Sequence, residues 1–317
     1  MIVVLTGGTG GAKFVDGLRQ VIAPEDLTVI VNTGDDLKWW GLHVSPDVDS
    51  ILYVLADCLS RERGWGVSLD TFLCLQTMRD LQEPAWFQIG DRDLATHLLR
   101  TKLLSDGLTL TQATAEIAKR MGIRSGVLPM SDSPVATRVV TENGELAFEE
   151  YFVKLRHSVP VKAVRFAGAE HAQPAPGVAQ AIAACDAVLI APSNPVTSIG
   201  PMLAIPGIRQ ALRECAAPVV AISPIVSGAA VTGPAGALMQ AHGVPVSLAG
   251  LWSIYGDCID VLIGDSDDLA AAHALEAAGS RTVCTSILMR TAQDRVQLAR
   301  TALNVALQPP SEGANTR

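Results

Sequence analysis

A chain of 317 residues with 49% hydrophobic and 18% charged side chains has enough apolar surface to fold, and it exceeds the usual size of a single hydrophobic core. Its formal charge of -8, without clusters of lysine or arginine, argues against nucleic acid, whose binding depends on neutralising many phosphates. No apolar run approaches the length of a membrane helix and Met1-Ile-Val-Val-Leu5 lacks the positive flank of a secretory signal, so a soluble, cytoplasmic protein with no membrane partner is expected.

The first thirteen residues organise the rest. Met1 to Leu5 predicts a buried strand, Thr6-Gly-Gly-Thr-Gly-Gly-Ala-Lys13 a tight glycine turn, and Phe14 to Ile22 an amphipathic helix. A strand, loop and helix in that order aims backbone N–H groups and the positive end of a helix dipole at an anion, and glycine lets a phosphate come close. Gly7, Gly8, Thr9, Gly10 and Lys13 are therefore candidate phosphate contacts; the plainer reading is a turn that needs glycine torsions. A P-loop would have Gly at 12 and Ser or Thr at 14, where Ala12 and Phe14 stand. A dinucleotide fingerprint starting at Gly8 would have Gly or Ala in place of Lys13.

Leu27 to Val31 predicts a second strand, ending in Asn32-Thr-Gly-Asp-Asp36. A nicotinamide-binding unit favours an acid where Asn32 stands, which counts against NAD and tolerates another nucleotide. Trp39 and Trp40 beside this loop offer rings to stack on a planar ligand, or simply core. Ser45-Pro-Asp-Val-Asp-Ser50 is a well-formed helix start. Asp47 and Asp49 within it suit a hard cation such as magnesium, or else only favour the helix dipole. Residues two apart do not share a helix face, so both reach one ion only if Asp47 sits in the irregular cap.

From about 61 to 159 the strand and helix alternation lapses. Helices are expected around Leu69 to Met78, Leu94 to Leu104 and Leu110 to Met121, followed by a ribbon pairing Ala136 to Thr141 with Glu145 to Val153. Arg92, flanked by Asp91 and Asp93, offers a planar fork for a carboxylate or phosphate, while Asp91 also reads as a helix cap. Asp132 is a third acid or a turn residue.

The alternation resumes at Ala163 to Phe166. Ala187 to Ala191, Val219 to Ile222, Val261 to Ile263 and Thr282 to Ile287 read as strands, with helices at Asp268 to Ala278 and Ala292 to Leu307. Repeated strand and helix units imply a doubly wound, mainly parallel α/β sheet whose ligands bind beyond the carboxyl ends of the strands. Ser193, Asn194, Thr197, Ser198 and Gly200 then form a second helix-start nest for phosphate or a nucleobase edge, or a plain cap at Ser198. The organisation expected is a Rossmann-like nucleotide-binding core at 1–60 and 160–307, an inserted helical and β-ribbon lobe for substrate at 61–159, and a flexible tail at 308–317. The six cysteines are far apart and no Ser, Cys or His constellation for a covalent intermediate can be assembled. Catalysis, if present, is metal-assisted displacement at phosphorus.

Taken together, Gly7-Gly-Thr-Gly10 with Lys13, Asn32-Thr33 with Asp36, Ser45-Pro-Asp-Val-Asp49, Gly90-Asp-Arg-Asp93, Leu128-Pro-Met-Ser-Asp132 and Pro192-Ser-Asn-Pro-Val-Thr-Ser-Ile-Gly-Pro201 resemble the 2-phospho-L-lactate transferases of coenzyme F-420 biosynthesis. Ser223-Pro-Ile and Thr232-Gly-Pro-Ala-Gly236 extend the match over nearly the whole chain. The resemblance implies magnesium-dependent transfer of a phospholactyl, phosphoenolpyruvyl or phosphoglyceryl group from a guanosine diphosphate-linked donor to the terminal hydroxyl of the deazaflavin Fo, with release of GMP. It further implies Asp47 and Asp49 as metal and catalytic acids, and Asp49, Arg92 and Asp91 as Fo contacts. The glycine loop, Asn32 and the 193–200 nest become nucleotide contacts, in a homodimer with a Rossmann-like core. Gly11-Ala12 departs from the Thr-Pro of archaeal members, a change that spares the backbone donors. The rival readings are a nucleotide-sugar-binding regulatory protein of the related glycine-loop family and a nicotinamide-dependent oxidoreductase, the latter disfavoured by Lys13 and Asn32.

Overall fold

The structure is a computed structural model describing residues 1–307; the tail expected at 308–317 lies outside the described residues. In chain order the strands are β1 (Ile2–Thr6), β2 (Leu27–Val31), β3 (Leu37–Trp39), β4 (Leu42–Val44), β5 (Gly126–Pro129), β6 (Ala136–Thr141), β7 (Gly144–Ala147), β8 (Ala163–Ala167), β9 (Ala187–Ile190), β10 (Val219–Ile222), β11 (Ile225–Val226), β12 (Ala229–Ala230), β13 (Val261–Asp265) and β14 (Thr282–Thr285). Seven of them make one parallel sheet in the order β14-β13-β10-β9-β1-β2-β5. Most of its strands are apolar and buried throughout, as strands covered on both faces must be.

Alternate side chains of each strand feed two cores. Val3, Leu5, Val188 and Ile190 pack on one face against Val178, Ile208, Leu212 and Leu251. Ile2, Val4, Val29 and Val31 pack on the other against α1 (Gly8–Leu18), α2 (Pro46–Leu55), α5 (Leu110–Arg120) and the closing helix Ala292–Leu307. Chain order across the sheet reverses between β1 and β9, so their carboxyl ends splay apart and leave a crevice there. Among the described residues no helix is long and apolar enough to cross a membrane.

Three expectations need correction. Helix α1 begins at Gly8, inside the glycine run and not after it. The stretch 61–159 is not one inserted lobe, because α5 packs on β5 and β5 pairs with β2, Val29 opposite Val127, as the outermost strand of the main sheet. The helices α3 (Leu73–Asp80) and α4 (Asp91–Ser105) come before that return to the sheet. After it comes a separate antiparallel sheet, β7-β6-β8. That sheet takes in Ala163–Ala167, which the sequence reading assigns to the resumed parallel core. Arg165 is exposed between buried Val164 and half-buried Phe166, an alternation suited to a sheet with one wet face.

Candidate active site

A cleft of about 620 Å³ opens at the carboxyl ends of β1 and β9. Gly7, Gly8, Thr9, Gly10, Lys13, Asp47, Asp49, Ser193, Asn194, Thr197 and Ser198 all line it, so the structure brings most of the sequence-derived site together. The glycines are required by crowding. A Cβ on Gly10 would lie 2.5 Å from the Pro192 carbonyl oxygen, and one on Gly7 would lie 2.6 Å from Asp47 Oδ2. Gly8 adopts φ +66°, the left-handed region that glycine enters freely. The start of α1 therefore presses directly against the loop after β9. The Gly7 N–H donates to Ser193 Oγ at 3.2 Å.

Asp47 and Asp49 both sit in the first turn of α2 and both reach the cleft, but they diverge in partners as residues two apart must. Asp47 Oδ1 accepts from the Gly8 N–H at 2.7 Å and its Oδ2 from Asn32 Nδ2 at 3.0 Å. Asn32 is fully buried behind the cleft wall and also donates to Asp35 Oδ2 at 2.9 Å. It tethers two acids and does not face a ligand. Ser45, in the cap position of α2, sends its hydroxyl to Asp36 at 2.7 Å.

Asp49 is gripped by a residue the sequence reading missed. Arg100, with no solvent exposure, places Nη1 3.1 Å from Asp49 Oδ2 and Nη2 on Oδ1, a two-pronged guanidinium–carboxylate pair. His97 lies between two acids, with Nδ1 3.4 Å from Asp49 and Nε2 3.4 Å from Asp93. The Tyr53 hydroxyl donates to Asp93 at 2.6 Å. Asp93, His97 and Arg100 fall at i, i+4 and i+7 of α4, a polar stripe along its buried face. That spacing was the available signal.

The cleft is rich in carboxylates held up by burial. Burial, with Asp36 nearby, lifts Asp47 to about 6 against the hydrogen bonds from Asn32 and Gly8. Burial first, then the charges of Asp47 and Asp36, lifts Glu149 to about 8. Asp35 is raised for the same reasons, by burial and by Asp47 and Glu149, and its Oδ1 has no well-formed hydrogen bond, only the Thr137 hydroxyl nearby. Glu149 enters from the start of the short helical segment Glu150–Lys154 that follows β7, where no motif marked it.

This donor set, all oxygen with an excess of buried acid, fits a hard cation. Among the described residues no three Asp, Glu, His or Cys side chains form a closed metal cage. A magnesium ion would be held directly by Asp47, beside the glycine loop, with phosphate oxygens and water completing its shell, while Asp49, turned toward Arg100, would reach it only through water.

Aromatic rings form the remaining wall: Trp65, Trp86, Phe87, Phe148 and Phe152. Trp39 lies behind them, its ring 4.7 Å from Trp86, and Trp40 Nε1 donates to the Pro84 carbonyl at 2.9 Å, so neither lines the cleft.

Four other expected residues lie elsewhere. Arg92 is exposed and donates to the Ser68 carbonyl at 3.0 Å. Asp91 accepts from the Leu73 and Cys74 N–H groups and so caps α3, while Asp70 accepts from the Arg92 and Asp93 N–H groups and caps α4. The two helices exchange caps, and in Asp91-Arg-Asp93 only the last residue turns inward. Gly200 packs under Phe166, away from the cleft. Asp132 accepts from the Thr111 N–H and hydroxyl, both at 2.7 Å, fixing the start of α5.

The family profile described as 2-phospho-L-lactate transferase CofD matches residues 2–302. The chain is 43% identical over 314 residues to the phosphoenolpyruvate transferase of Streptomyces griseus, covering 96% of this chain and 98% of that protein. It is 39% identical over 298 residues to the 2-phospho-L-lactate transferase of Methanosarcina mazei, covering 94% and 98%. A crystal structure of a UPF0052 family member from Bacillus halodurans superposes with a TM-score of 0.65 at 20% identity, over 95% of this chain and 98% of that one, a likeness of fold alone.

Proposed function

The chain belongs to the 2-phospho-L-lactate transferase CofD family and is a transferase of that type, and from this we propose its reaction. A phospholactyl, phosphoenolpyruvyl or phosphoglyceryl group moves from a guanosine diphosphate-linked donor to the terminal hydroxyl of the deazaflavin Fo, releasing GMP, in coenzyme F-420 biosynthesis. The observation that carries this reading is one cleft holding both a glycine-bounded helix start with Lys13 and a wall of aromatic rings. The first suits a diphosphate and the second a planar heterocycle.

In this reading the N–H groups opening α1, with Lys13 and the Ser193 and Ser198 hydroxyls, hold the diphosphate. The rings of Trp86, Phe87 and Phe148 hold the deazaflavin so that its terminal hydroxyl faces the distal phosphorus. That oxygen forms the new P–O bond, the bond between the distal phosphorus and the bridging oxygen breaks, and GMP leaves with the bridging oxygen. The hydroxyl proton passes to a carboxylate of the Asp49, His97 and Asp93 group. Arg100 fixes the Asp49 carboxylate in position for this. Asp47, with Asp49 through water, would hold a magnesium ion, which would supply charge neutralisation for the diphosphate. We place the protein in the cytoplasm as a homodimer.

Titrating Fo with the protein and following deazaflavin fluorescence tests the reading. Saturable binding is expected; no change in fluorescence at any protein concentration would favour a nucleotide-binding regulator instead.

A further inference from the structure

Two cations line the cleft without a hydrogen bond or ion pair from the rest of the described chain, Lys13 and Arg156. Lys13 stands on α1 beside the glycine loop and is accounted for by the diphosphate. Arg156 comes from the turn after the short helical segment Glu150–Lys154, which follows β7, and has no role in the reaction as described above.

The backbone that presents Arg156 is strained. Arg156 has φ +50° and His157 φ +44°, two successive non-glycine residues in the left-handed region. Such a turn persists only where its surroundings over-determine it. Here the His157 N–H donates to the Tyr151 carbonyl at 2.9 Å, and the Leu155 N–H donates to the Glu150 carbonyl at 3.0 Å. The His157 ring stacks on Phe152 at 5.9 Å, and Phe152 stacks on Phe148 at 5.5 Å. Tyr151 is buried, 1% exposed, and anchors the turn from below. The stack fixes the backbone that carries Arg156, whose exposed guanidinium lines the cleft and pairs with none of its carboxyl groups, Asp35, Asp47, Asp49, Asp93 and Glu149.

An unpaired guanidinium lining the cleft is open to an anionic ligand group. The two relatives described above are named for phosphoenolpyruvate and 2-phospho-L-lactate, and each of these acids carries a carboxylate beside its phosphate. The phosphate end is served by the helix start and Lys13. We infer that Arg156 is the residue that binds the carboxylate of the donor's acid, by the planar fork that guanidinium and carboxylate form. The inference rests on the transferase reading above. It makes Arg156 a specificity-determining residue, selecting donors whose phosphate is esterified to a hydroxy or enolic acid over simple alkyl esters.

The test pairs a change in the protein with a change in the ligand. Wild type, Arg156→Gln and Arg156→Lys are assayed for Fo-dependent GMP release with the lactate-linked guanosine diphosphate donor and with its ethyl ester counterpart, which lacks the carboxylate. With the acid donor, Arg156→Gln should raise KM about 10- to 100-fold, the range for a charged hydrogen bond, with kcat little changed and KM for Fo unmoved. Arg156→Lys should recover part of the loss. With the ethyl ester, wild type and Arg156→Gln should have the same kcat/KM. An equal loss on both donors, or no loss on either, overturns the inference while leaving the transferase reading intact. If wild type releases no GMP with the lactate-linked donor, the phosphoenolpyruvate- and glycerate-derived donors take its place in the same comparison, and no GMP release with any of the three overturns both.

Discussion

Asp49→Asn is the substitution in which structure and chemistry are hardest to separate. The family resemblance makes Asp49 a catalytic acid, yet among the described residues it is also the sole hydrogen-bonded anion of the fully buried Arg100, whose Nε already has no partner. Burial acts to lower the Arg100 pKa and the Asp49 charge reverses this; a guanidinium nevertheless keeps its proton in a protein, so the charge stays when the carboxylate goes. Removing one member of a buried pair costs about 3–5 kcal/mol. The Asn amide oxygen still accepts one hydrogen bond and should bring the cost to the lower end. Against a total stability of roughly 5–15 kcal/mol this is a large fraction. Urea unfolding followed by circular dichroism should show a clear fall in midpoint for Asp49→Asn. The double variant Asp49→Asn/Arg100→Met, which removes both charges and keeps the volume, should recover most of it. An Asp49→Asn protein that unfolds at the wild-type midpoint would refute the pairing, and any loss of turnover would then be purely chemical.

Two further outcomes follow from the same cleft. Glu149 is held near pH 8 and Asp47 near pH 6, both above their unfolded values, so the folded protein binds more protons between about pH 4 and 8 and loses stability as pH rises through that window. Thermal midpoints measured from pH 5 to 8.5 should fall less for Glu149→Gln than for wild type; parallel curves would contradict the burial of that carboxyl. Gly10→Ala would set a Cβ 2.5 Å from the Pro192 carbonyl and force the start of α1 off the loop after β9. It should reduce GDP binding by at least tenfold in calorimetry, about 1.4 kcal/mol, and wild-type affinity would show that the glycine serves only the turn.

The parallel sheet and the position of its crevice were legible because each strand is a short apolar run that breaks into a glycine, serine or asparagine loop. Those loops begin where β1 and β9 end, which is why Gly7–Gly10, Ser193 and Asn194 could be named in advance. Contiguous strings misled where direction matters. Asp91-Arg-Asp93 reads as one charged cluster, but one turn of helix sends Arg92 to solvent and Asp93 to the core beside Tyr53. Arg100 and His97 were hidden because a helix with a polar inner face gives no hydrophobic period to detect. Glu149 and Arg156 depend on a turn that only the stacked Phe148, Phe152 and His157 define, and β5 was concealed by a long excursion between it and β2.

The central claim is met most directly by one reaction mixture: the protein with Fo, magnesium and, in turn, the lactate-, phosphoenolpyruvate- and glycerate-derived guanosine diphosphate donors, analysed by mass. The account predicts GMP together with an Fo adduct heavier by one phospho-acid for at least one donor, and neither product when Fo is left out. Absence of an Fo adduct with all three donors, from protein shown to be folded, would contradict it.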